Sequence, residues 1–165
     1  MPAPSAGGES EVLLSSLNAQ RGHVVGILEG LPAAALRRPV LPSGWTPLGL
    51  VNHLALDVER FWFRVIMTGE DAELPEGAEG WQVGEGTPPD AVFGLYRQEI
   101  TRANQIIAAT PLDTPPVQWP DEWSGWRLAN LREVLLHVIT ETACHAGHLD
   151  AARELIDGHQ WMVLT

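Results

Sequence analysis

The chain has 165 residues, enough for one domain with a substantial core, and 45% of them are hydrophobic, the balance of a folded globular protein. Its net charge is -11 at pH 7, from 21 acidic residues against 10 arginines and no lysine. Such a surface repels phosphate backbones and anionic membranes, which disfavours both as partners. No apolar run approaches the roughly 18 residues that span a bilayer, and the single cysteine, Cys144, cannot form an internal disulfide, which points to a cytoplasmic setting.

The opening MPAPSAGGES lacks the positive and apolar regions of a secretory signal and reads as a flexible leader over residues 1–8. From Glu9 to about Gly30, the residues Val12, Leu13, Leu17, Val24 and Leu28 recur near the helical period, and Gly30 and Pro32 close the segment. A second helix begins with Thr46 as N-cap and Pro47 at its first position, where the missing N–H costs nothing, and runs to about Met67. The stretch TGEDAELPEGAEGWQVGEGTPPD beyond it is acidic, aperiodic and rich in Gly and Pro; it reads as a long loop of the kind used for lids and binding loops.

A third helix, Asp90 to about Ala109, places Val92, Leu95, Tyr96, Ile100, Ile106 and Ile107 on an apolar stripe. The connector TPLDTPPVQWPDEWSGWRLA carries Trp119, Trp123 and Trp126, read here as anchors that pack the loop onto the bundle and not as a ligand wall. The fourth helix starts near Asn130, with Glu133 as capping-box partner, and stops at Gly158, a fitting C′ glycine. The expectation is a single all-α domain over residues 1–165: a four-helix bundle with a long helix 2–3 loop and a Pro/Trp-rich helix 3–4 connector.

The fourth helix puts ionisable groups where its core stripe belongs. Val134, Val138, Leu149, Ala152, Leu155 and Ile156 share a side with His137, Glu141, His145 and His148. One reading is an exposed face with an i, i+4 pair that contributes a few tenths of a kcal/mol. The other is a metal site, because a buried carboxylate needs a cation or hydrogen-bond partners. His53, in the apolar context LGLVNHLALD, completes a set of two imidazoles and one carboxylate with Glu141 and His145. Such a set suits Zn²⁺, Ni²⁺ or Fe²⁺ and leaves positions open for water or substrate. His148 is a fourth ligand, a supporting residue or a substrate contact, and His137 reads as a support. His23 and His159 read as ordinary hydrogen-bonded or surface residues, Cys144 as a buried, inert thiol, and Arg60, Arg64 and Arg153 as solvated helix residues.

The stretches GWTPLGLVNHLALDVERFWF and LLHVITETACHAGHLDAARELIDG, about a quarter of the chain, resemble the DinB/YfiT-like superfamily, in its branch related to mycothiol-dependent enzymes. The resemblance implies a four-helix bundle holding a divalent metal, zinc or nickel, through one ligand on helix two and two on helix four. His53, Glu141 and His145 match those positions. Glu141 stands where the commoner pattern has His, a departure shared by the mycothiol branch, and His148 stands where many relatives carry Gln.

The resemblance further implies a metal-dependent thiol S-transferase, with mycothiol as thiol co-substrate, a small electrophile as second substrate, and a possible homodimer. Coordination lowers a thiol's pKa below its free value of about 8.5 and gives a nucleophile at neutral pH. His148 then contacts the thiol or the substrate. The alternatives are a mycothiol-dependent isomerase on the same scaffold, a metal- or ligand-binding bundle without turnover, and a purely structural bundle.

Overall fold

A computed structural model describes residues 8–161, so the leader read over residues 1–8 lies, apart from Gly8, outside the described residues. The first long helix, α1, spans Glu9–Leu28 and is followed by a single short turn, α2, over Ala33–Leu36. α3 covers Pro47–His53 and passes without a break into a wider, π-type winding over Leu54–Met67. A 3₁₀ turn, Glu79–Trp81, interrupts the long acidic loop; α4 spans Pro89–Ala109 and α5 spans Leu131–Asp157. Among the described residues there is no strand, and no helix is long and apolar enough to cross a membrane.

The helix ends follow local chemistry. Thr46 Oγ1 accepts from the Gly49 N–H at 3.0 Å, and Pro47 occupies the first turn. At the start of α5, Asn130 Oδ1 accepts from the Glu133 N–H at 3.1 Å, while the Glu133 carboxylate accepts from the Ala129 N–H at 2.7 Å. Gly158 ends α5 in the left-handed region, at φ 78°. Nothing in the sequence announced the π-type winding, in which hydrogen bonds reach one residue further than in an α-helix; such segments are frequent at functional sites.

α1 packs along α5, and the α3–π helix packs along α4. Leu17, Val24 and Ile27 of α1, Leu50, Leu54 and Val58 of the second helix, Tyr96 and Ile107 of α4, and Val134, Val138 and Leu149 of α5 are all buried in the shared core. Leu155, assigned to the core stripe by spacing, is instead 59% exposed.

The three arginines read as solvated are tied into the structure. Arg60 and Arg64 both donate to the buried Glu99, with contacts of 2.7 to 3.1 Å. Arg153 donates to the Ile27 and Glu29 carbonyls at 2.7 and 2.8 Å, closing the end of α1 against α5.

Candidate functional site

His53 is the last residue of α3, at the point where the winding widens, and only 12% of its side chain is exposed. Its Nδ1 lies 2.8 Å from Asp57 Oδ2, one turn on, and its ring stacks on Trp81 at 4.0 Å between centroids and 15° between planes. The 3₁₀ turn that delivers Trp81 is clamped by Asn52, which donates to the Gly80 carbonyl at 2.8 Å. Two glycines permit this close approach. A Cβ on Gly80 would sit 1.9 Å from Asp57 Oδ2, and one on Gly49 would sit 2.2 Å from the Trp81 carbonyl oxygen. The long loop therefore holds the His53 ring from one side while Asp57 holds it from below.

α5 brings Glu141 and His145 to the same cleft. Glu141 Oε1 lies 4.0 Å from His53 Nε2, its Oε2 lies 3.2 Å from His137 Nε2, and the His53 and His145 rings meet edge-on at 5.1 Å. One ligand atom from each of His53, Glu141 and His145 falls within 4.8 Å of the others. Burial, followed by the neighbouring His53, pushes His145 down to about 4, so its imidazole is neutral at pH 7. Burial pushes Glu141 up, but the hydrogen bond and charge of His137, with smaller contributions from His145 and His53, outweigh it and leave the carboxyl below its ordinary value.

These residues fit a divalent ion. Tetrahedral zinc with bonds of about 2.0–2.2 Å holds its donors roughly 3.3–3.6 Å apart, so donors within 4.8 Å of one another close by at most about 1.5 Å, within reach of side-chain rotation. With Asp57 accepting from Nδ1–H, the lone pair of His53 Nε2 faces the cluster, the arrangement that orients metal-ligating histidines. His137, read as a support, lies against Glu141 through its Nε2. His148 is exposed, 3.5 Å from His145 through their Nδ1 atoms, on the flank of the cluster near Trp45. His23 of α1 pairs with Asp150 of α5 at 2.6 Å, and His159 is exposed beyond the end of α5.

A cavity of about 800 Å³ opens beside the cluster; Asp57, Glu141 and His145 form part of its wall. Phe61, Trp62, Trp123 and Trp126 form its aromatic wall, so two of the three connector tryptophans, Trp123 and Trp126, do more than anchor the loop. Cys144 also lines this cavity and is exposed, which corrects the reading of a buried thiol: α5 turns it to the cleft side next to His145. Spacing and composition did not single out Asp57 or Trp81 for the site. The His53-x-x-x-Asp57 spacing was visible in the chain, whereas nothing local links Trp81 to His53.

An all-helical bundle with histidines and a carboxylate converging from its second and last long helices belongs to the DinB-like class. The chain is a member of the mycothiol S-transferase family, whose model matches residues 12–158, nearly the whole of the described structure. No curated protein matches it. Membership supports, in broad terms, transfer chemistry with a mycothiol-type thiol as substrate.

Proposed function

We propose that the protein is a divalent-metal-dependent thiol S-transferase that joins mycothiol, or a thiol of its type, to a small electrophile. The observation that carries the metal dependence is the convergence of His53, Glu141 and His145 within 4.8 Å, beside a cavity large enough for a substrate. A bound zinc or nickel ion supplies a Lewis acid that keeps a thiol deprotonated at neutral pH.

The chain's own residues do the remainder. His53, Glu141 and His145 hold the ion; Asp57 and Trp81 fix the His53 ring, and His137 keeps one oxygen of Glu141 occupied so that the other faces the cluster. His148, exposed on the flank, contacts the incoming thiol. In the transfer a carbon–sulfur bond forms, the electrophile's leaving group departs with its electron pair, and the thiol proton passes to solvent. Apolar walls around the cavity keep bulk water from competing for the electrophile. We place this activity in the cytoplasm, where thiols are kept reduced.

Elemental analysis of untagged protein tests the centre. Wild type is expected to carry zinc or nickel near stoichiometrically; His53→Ala and His145→Ala lose it, and His148→Ala keeps it while losing thiol affinity. Mass spectrometry of the product separates transfer from isomerisation, because a transferase leaves a stable thioether and an isomerase returns the free thiol. Wild-type protein that takes up neither metal would sink the reading.

A further inference from the structure

The wall of the cavity beside the cluster specifies what enters it. Trp62 lies at the centre of an aromatic group, with ring centroids 6.1 Å from Trp119, 6.0 Å from Trp123 and 6.1 Å from Trp126. Phe61 meets Trp123 at 5.5 Å, and His137 meets Trp62 at 4.7 Å. Trp126, part of the same wall, remains 49% exposed, a large apolar surface left open to solvent. A volume of about 800 Å³ is within the range of small-molecule sites.

Charge narrows the occupant further. The ionisable wall residues other than the two histidines and Cys144 are Asp57, Glu122 and Glu141, and no arginine is among them. Arg127 lies over the Trp119 ring at 5.1 Å and donates to the Trp123 and Trp126 carbonyls, so it serves the connector's backbone. With an ion and a thiolate in place, the ion's charge is taken up by Glu141 and the sulfur, while Asp57 and Glu122 keep the cavity negative. An indole face attracts cations as well as flat rings.

We propose that this cavity is the electrophile's subsite and that it selects flat aromatic electrophiles that are uncharged or cationic, rejecting those that carry a carboxylate or sulfonate. Trp123 supplies the stacking face and Glu122 the charge filter. The inference rests on the transferase reading for the word electrophile, but the selectivity belongs to the walls alone.

Isothermal titration of the full chain with three unreactive probes tests it: 2-naphthalenemethanol, 2-naphthylmethylammonium and naphthalene-2-sulfonate. The neutral and cationic probes are expected to bind at least about tenfold more tightly than the sulfonate, the size of a like-charge penalty in a half-open site. The order persists in His53→Ala, where no ion is held. Glu122→Arg, a substitution at an exposed position, removes the penalty against the sulfonate, and Trp123→Ala weakens all three probes. Sulfonate binding as tight as that of the alcohol, or a Glu122→Arg variant with the wild-type order, overturns the inference. Thioether formation without charge selection sinks the subsite alone, whereas charge selection without metal or thioether sinks the transferase reading alone.

Discussion

Two polar clusters branch from the same long helix, and they are built on opposite plans. At Glu59, Arg21 of α1 closes on the carboxylate through both oxygens at 2.7 and 2.6 Å, with the two side chains 3% and 1% exposed, and Asn104 accepts from the guanidinium's remaining arm at 2.8 Å. Beside it on the same helix, Arg60 and Arg64 do the same for Glu99. Each of these buried carboxylates has its cation in the fold. At His53 the cluster is short of positive charge: two imidazoles and a carboxylate face one another, one imidazole is held neutral, and the nearest ion-pair distance across the helices is 4.0 Å. That contrast, two acids closed by arginines and one set with only an imidazole against its carboxylate, is what supports the proposed metal centre.

Breaking the closed cluster is expected to have the largest effect. Glu59→Ala strands the Arg21 guanidinium in the core and costs about 3–5 kcal/mol, read as a shifted urea midpoint, while the folded fraction still binds metal. His145→Ala does the reverse, abolishing metal binding at about 1 kcal/mol or less in the metal-free protein. Asp57→Asn sits between the two: the fold persists and metal affinity falls about 10- to 100-fold, measured by competition with a chelator, because the His53 ring loses its orienting partner.

Acid sharpens the same contrast. His145 has a folded value of about 4, below the unfolded 6.5, so between those values the unfolded chain takes up a proton that the folded chain does not. Metal-free protein therefore loses stability as pH falls through that window, and Glu141, whose value is also depressed, adds to the loss below its unfolded 4.5. His145→Ala flattens the upper part of the profile. The smallest effect belongs to Cys144→Ser: at an exposed position it changes stability by no more than about 0.5 kcal/mol.

The parts of the molecule legible in the sequence are those governed by near neighbours. Thr46 with Pro47, Asn130 with Glu133, and Gly158 mark helix ends through contacts three or four residues away, and the structure has them there. Glu141 and His145 share a helix, so their spacing alone brought them together; His53 joined them as a lone imidazole in an apolar helical context, a choice that the resemblance to a family then matched. The features the sequence hid are long-range. Trp81 reaches His53 through a Gly-rich loop with no periodicity, and Arg153 reaches the end of α1 across more than a hundred residues. The side on which Cys144 faces hid for a different reason: it lies one step from the polar stripe, where a rotation of the helix by a fraction of a turn decides between core and cleft.

That rotation has a chemical consequence. A chain without lysine offers electrophiles few competing nucleophiles, and its one thiol stands in the wall of the chamber where, on the proposed reading, electrophiles are held. When the small thiol is abundant, it is consumed and Cys144 is spared. On that reading, depletion of the small thiol would leave the Cys144 thiol as the acceptor within reach, and each alkylation would plug the chamber. A catalyst of that kind would age in proportion to the scarcity of its co-substrate, and the mass of an adduct on Cys144 would record which compounds arrived while the thiol was gone.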